Sequence, residues 1–385
     1  MAAIKINRVI LLYFHMRGVV AISVSLILLM ASISMAGEKK EESIGTVALQ
    51  QSSASAQYNG SGGVDDAAHF KYHQNDSNII NWYEWWYANA KGDDGNNLLI
   101  EFFTFGNLNN PFVSAVGIVM IFMKSDGSTF KSLKSYPLID YNLDYEKCNV
   151  TIAGDIFAEN DDGTYTVTYH NSINDVKLQL NLSKINRGIE AIPTSAGNDE
   201  WMKWNIPVPY GKADGLLEYT DIKGHHVYRI AGRGYHDHNW GISNKFSLCW
   251  DWGEFSDGSA SATITYGMVR FGDGPSEGGI YFSNETVRKA IYIPDLTIKY
   301  MDWDTICGFK KPTKFCMYGS NGSFSVNVTV EIERAYIIGV GRLGMPYLMG
   351  KMNGIINVNG KSYEFSDVTG FYEHHFLKPT VNWPW

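Results

Sequence analysis

From Ala67 onward the apolar positions come in short β-branched and aromatic runs, and they do not recur with the period of about 3.6 residues that marks an amphipathic helix. "NLLIEFFTF" (Asn97 to Phe105), "AVGIVMIFM" (Ala115 to Met123), "GTYTVTYH" (Gly163 to His170) and "VKLQLNL" (Val176 to Leu182) each predict a strand. Alternation in "VKLQLNL" is strict, as in a strand with one wet face. Turn signals at Asp93-Asp94-Gly95, Asp126-Gly127 and Asp162-Gly163 separate these runs. The second half repeats the theme in "SATITYGMVRF", "GGIYF", "SFSVNVTVEIERAYIIG" and "NGIINVNGKSYEFSDVTGFYEHH", where "VNGKSYEF" predicts a hairpin. Helices should be few. The reading is an all-β chain with two sandwiches or barrels, residues 67–241 and 242–378.

The N-terminus departs from this pattern. Lys5, Arg8 and Arg17 precede an uncharged apolar stretch from Gly18 to Ala36 that ends in Ser34-Met35-Ala36, and charged "GEKKEESIG" follows. Residues 1–36 therefore predict a secretory signal. An uncleaved membrane anchor is the alternative, because the stretch approaches the roughly 20 residues that span a bilayer. Both put the folded part outside the cytoplasm, secreted or extracytoplasmic, and the anchor would attach it to a membrane. Residues 37–66, rich in Ser, Gly and Gln, predict a flexible linker.

The 385 residues carry a formal charge of -8, which argues against nucleic acid as a partner. Asn-x-Ser/Thr sequons at Asn59, Asn75, Asn149, Asn181, Asn284, Asn321 and Asn327 fit export. Of the four cysteines, Cys307 and Cys316 flank "GFKKPTKF", a predicted hairpin that a disulfide could close. No CxxC motif is present.

Candidate chemistry gathers in three places. "NWYEWWYANAKG" sets Glu84 among Trp82, Tyr83, Trp85, Trp86 and Tyr87. These rings read first as core, yet a carboxyl among indoles is costly to bury unless paired or protonated, and a raised pKa suits a general acid. "GRGYHDHNWG" (Gly232 to Gly241) packs Tyr235, His236, Asp237, His238, Asn239 and Trp240 between glycines that permit close backbone approach. If extended, it puts His236, His238 and Trp240 on one face and Tyr235, Asp237 and Asn239 on the other. "CWDWGEF" puts Trp250, Trp252 and Glu254 on one face, with Asp251 between them, and "GFYEHHF" adds Glu373, His374 and His375.

Together, "EWWY", "WNIPVPYGKADGLLEY" (Trp204 to Tyr219), "GRGYHDHNWG" and "WDWGEF" resemble the carotenoid 1,2-hydratase family, itself similar to kievitone hydratase and to fungal Diels–Alderases. The resemblance spans Tyr83 to His375. It implies a pair of lipocalin-like β-domains with a cleft between them for an apolar isoprenoid, carotenoid or polyketide-like substrate. It also implies a hydratase that works without a cofactor, and its His-x-Trp pair falls on His238 and Trp240. On this reading His238, Asp237, Trp240 and Glu84 are catalytic, and Tyr235, His236, Trp85, Trp86, Trp250, Trp252 and Asp251 bind substrate.

Alkene hydration needs an acid, a base for water and rings that stabilise a cation, all of which these residues supply. Three alternatives stay open. A cyclase or isomerase would use the same pocket, and an exported carrier would bind a hydrophobic ligand without changing it. A metal centre would start from His236 and His238 with His374 or His375 as a third ligand, but Trp240 shares their face and no familiar ligand spacing completes the set. No metal is expected. His69 and His73 read as solvated.

Overall fold

The computed structural model describes residues 64–136, 140–191, 194–196, 199–244, 248–257, 262–271, 276–284, 291–292, 296–306, 309–338 and 345–375. Among these the expected strands all form, at Asn97–Gly106, Ser114–Met123, Tyr165–Asn171 and Val176–Lys184. The last alternates buried and exposed positions as its sequence dictates. Turn chemistry explains where strands stop. Gly95, Gly127 and Gly163 take φ of 81°, 86° and 78°, values that favour glycine. Asn359 and Gly360, at 51° and 81°, reverse the chain between Met345–Val358 and Lys361–His375, as the Asn-Gly signal requires. Helix among the described residues is limited to the turn Phe70–His73 and two short 3-10 turns.

Two curled antiparallel sheets make up the fold, one of 13 strands and one of nine, in two lipocalin-like half-barrels. Both share one pairing pattern. In the first, strand Trp82–Gly92 pairs with Asn97–Gly106 on one side and with the distant Gly224–Ile242 on the other. In the second, Leu248–Asp257 pairs with Ala262–Phe271 and with the C-terminal Lys361–His375. Each barrel is filled from within. Trp82, Trp86, Phe102, Tyr165, Leu180 and Trp240 belong to the first core, and Phe255, Phe282, Met317, Leu348 and Tyr372 to the second.

A third apolar layer lies between the sheets, from Tyr87, Leu99, Trp204 and Tyr235 of the first and Trp252, Tyr281, Tyr347 and Phe371 of the second. Polar links cross it. Lys91 and Asn89 bond to Glu254, Tyr87 meets Tyr347 hydroxyl to hydroxyl, and Arg233 donates to the Ser256 carbonyl.

Glycine permits the tight packing around the motif strand. A Cβ on Gly241 would stand 2.2 Å from the Trp201 carbonyl oxygen and 2.6 Å from the Tyr83 hydroxyl. The carbonyl is held in the sheet and cannot yield, so Gly241→Ala is expected to cost about 1–3 kcal/mol in urea denaturation, the range for overpacking.

The signal or anchor stretch lies outside the described residues, and no helix among those described is long and apolar enough to cross a membrane. Cys307 also lies outside them, and with it the expected disulfide; Cys316 stands opposite Lys299 in its strand pair. The sequon at Asn284 is buried, and its amide donates to the Tyr363 hydroxyl at 2.8 Å, so it is no surface acceptor in the folded chain.

Candidate functional site

The motif strand Gly224–Ile242 is extended throughout, so its side chains divide between two compartments. His236, His238 and Trp240 point into the first barrel. The first strand runs antiparallel beside it, with Glu84 opposite Trp240 and Trp86 opposite His238, so both enter the same space. There the imidazoles meet Asp66, from the segment before the first strand, and Glu84 of that strand. His236 Nε2 is 2.9 Å from Asp66 Oδ2, which also accepts from the Tyr165 hydroxyl at 2.8 Å. His238 Nε2 lies 3.2 Å from Glu84 Oε1, and its Nδ1 faces Asp66 Oδ1 at 3.3 Å. His69 reaches the same Glu84 oxygen with its backbone N–H at 2.7 Å and Nδ1 at 3.2 Å.

Burial by itself would raise Asp66 and Glu84, but the surrounding imidazoles outweigh it and hold both carboxyls below their ordinary values. Burial opposes the charge on His238, yet the two carboxylates prevail and lift it to about 9. This network sets buried carboxylates against imidazoles inside the first barrel.

The other face of the motif looks toward the second sheet. Asp237 accepts from the Trp204 indole at 3.0 Å, the Tyr235 hydroxyl at 2.8 Å and the Asn239 amide at 3.2 Å. Burial lifts its carboxyl to about 6 against the pull of the Tyr235 and Trp204 bonds. Glu373 takes the Trp250 indole N–H at 2.7 Å; burial, with the charge of Asp237 added, pushes it to about 7. Glu101 sits at about 8, first through burial and then through repulsion from Glu373 and Asp237. Trp85, Glu101, Trp250 and Glu373 are only partly buried, whereas Tyr87, Tyr347 and Phe371 are closed off. The inter-sheet layer is therefore least completely covered where these indoles and carboxyls gather. Tyr83 stacks on Trp85 with centroids 4.9 Å apart, and Trp85 lies 6.5 Å from Trp250 of the second sheet.

The expected site residues are thus separated. Asp237, Tyr235, Trp85, Trp250 and Trp252 share the inter-sheet face. His238, Trp240, Glu84, His236 and Trp86 do not; they fill the first barrel, because odd and even residues of a strand cannot face one compartment. Asp251 is likewise turned into the second barrel, where it bonds to His374 Nδ1 at 2.6 Å and to the Tyr300 hydroxyl. His69 is no solvated residue: it is 8% exposed and stacks on Trp240 with centroids 3.7 Å apart.

Four residues escaped the sequence reading. Asp66 ends a polar stretch and carries no local signal, yet it is 4% exposed. Glu101 did carry one, a charge set within an apolar run, the same mark that singles out Glu84, whereas Lys91 stands at a strand end beside a charged turn. Glu373 was noted in its motif without a role.

No family model matches the chain, and no curated protein matches its sequence. Solved structures do resemble it. A candidate AttH from Nitrosomonas europaea superimposes with a TM-score of 0.58 at 12% identity, covering 81% of this chain and 97% of its own. CghA with Sch210972 gives 0.55 at 11%, covering 77% and 89%. Kievitone hydratase from Nectria haematococca gives 0.52 at 11%, covering 78% and 91%. What the chain shares with all three is the paired lipocalin-like fold.

Proposed function

We propose that the protein is a hydro-lyase-type enzyme that adds water to, or removes it from, an apolar unsaturated small molecule at the partly exposed end of the inter-sheet layer. The observation that carries this reading is that Glu373 and Asp237 face the same inter-sheet layer, near enough for the charge of one to raise the other. Glu373, lifted to about 7 and fixed by the Trp250 indole, retains a proton near neutral pH and is the donor to carbon. Asp237, held by three donors, is the acceptor for the proton of the attacking water. Trp85, Trp250 and Trp252 offer ring faces to the cation between these steps, each worth about 0.5–2 kcal/mol.

The structural neighbours support the assignment, since one is named a hydratase and another holds Sch210972. An isoprenoid or polyketide-like skeleton suits the aromatic wall, and the N-terminal apolar run suits an exported protein.

Incubation with prenylated and polyene compounds in oxygen-18 water tests the reaction. Mass spectrometry should find a product heavier by one labelled water. Binding without any mass change would make the protein a carrier, and an isomer of unchanged mass would make it a cyclase or isomerase.

The pH profile offers a second check. The charged groups facing Glu373 are Asp237 and Glu101, with the Tyr87 and Tyr347 hydroxyls beside it. The donor works only when protonated, so kcat/KM is expected to fall as pH rises through about 7, and Glu373→Gln should abolish that limb.

A further inference from the structure

We infer that His69, Glu84 and His238 form a binding site for a divalent transition-metal ion of the zinc class inside the first barrel, separate from the inter-sheet carboxyls. One ligand atom from each lies within 4.8 Å of the others, and all three residues are buried. His69 Nδ1 and His238 Nε2 each stand 3.2 Å from the same Glu84 oxygen. Neighbouring ligand atoms in a tetrahedral shell about 2.0–2.1 Å from zinc are about 3.3 Å apart, so these two edges already have the spacing an ion requires.

The surroundings are those of a built site. Ligating histidines usually direct their second ring nitrogen at a carboxylate, which fixes the tautomer and ring orientation. His69 does so, its Nε2 bonding to Asp65 Oδ2 at 3.1 Å; His238 Nδ1 lies 3.3 Å from Asp66 Oδ1 without forming a hydrogen bond. Ring packing locks both rotamers, with Trp240 stacked on His69 at 3.7 Å and Trp86 on His238 at 4.5 Å between centroids. The independent sign is Glu84 itself, fully buried, whose Oε2 has no hydrogen-bond partner in the protein. An unsatisfied carboxylate oxygen in a dry interior is costly, and an ion held by both Glu84 oxygens, Oε1 beside the imidazoles and the empty Oε2, would remove that cost.

Two imidazoles and one carboxylate make a three-ligand set with room for a further ligand, a combination zinc accepts. Because His69 precedes the first strand while Glu84 and His238 lie on paired strands, the ion would pin the leading segment to the barrel wall.

The test uses the full chain, freed of metal by a chelator and shown to be folded by near-ultraviolet circular dichroism. Titration with Zn2+ alone should give about one equivalent bound and a higher melting midpoint, and Co2+ should give a visible absorption band. His69→Gln and Glu84→Gln should each weaken binding by about 100-fold or more, while His73→Ala, outside the set, should not. Because the wild-type titration carries the decision, a variant that fails to fold does not obscure it. Folded wild-type protein that takes up less than about a tenth of an equivalent, or binding unchanged in both variants, would overturn the site. Neither readout depends on turnover, so the hydro-lyase assignment stands or falls separately.

Discussion

Asp237→Asn is expected to lower turnover by about 100-fold or more, the usual effect of losing an acid–base group, while the protein still folds. The amide matches the carboxylate in size but cannot take a proton from water. It also offers one acceptor oxygen where three donors converge from Trp204, Tyr235 and Asn239, so one of those contacts turns from attraction to a clash of donors. That mismatch in a side chain 3% exposed should cost about 1–3 kcal/mol of stability, an effect a thermal melt separates from the kinetic loss. His238→Ala should behave differently. It leaves Asp66 and Glu84 without the imidazole that faces both, so its primary effect is on unfolding. Unaltered turnover in a folded Asp237→Asn protein would remove this aspartate from the reaction.

Lys91→Met should be the most destabilising single change, at about 3–5 kcal/mol by urea denaturation. Lys91 is 2% exposed and its partner Glu254 is fully buried, so removing the amine strands a carboxylate in the apolar layer between the sheets. Burial lowers the Lys91 amine to about 8 against the pull of Glu254, a sign of how little water reaches it. The pair lies beside Phe371 and joins strand Trp82–Gly92 of the first sheet to Leu248–Asp257 of the second. A second substitution, Glu254→Met, should restore much of the loss, since apolar residues of similar volume replace buried ion pairs at small cost. Asn89 limits the recovery because its amide also donates to Glu254. If the double variant is no more stable than the single one, the stranded charge is not the cause.

Much of the architecture was legible in advance because strand and turn signals are local. Alternation in Val176–Lys184 and the Asp-Gly and Asn-Gly turns depend on a few consecutive residues. The motif's division into two faces was legible for the same reason. Its assignment to one cleft was not, since a strand's pleat says which residues share a side and nothing about what lies beyond that side. Glu84 was expected to carry a raised pKa fit for a general acid, but its partners, His69 and His238, approach from different parts of the chain and hold it below its ordinary value.

By itself the sequence determined an all-β chain in two similar halves, and it determined which side chains of each strand stand together. Hydrophobic period and turn chemistry act over distances of a few residues, and both were readable. Only the tertiary structure decided that His238 and Trp240 enter a packed barrel while Asp237 meets Glu101 and Glu373 between the sheets. The pairing of the first strand with a strand far along the chain, and of the two sheets with each other, sets those neighbours. Burial and mutual repulsion then set the charge on the carboxyls, and both follow from packing rather than from residue type.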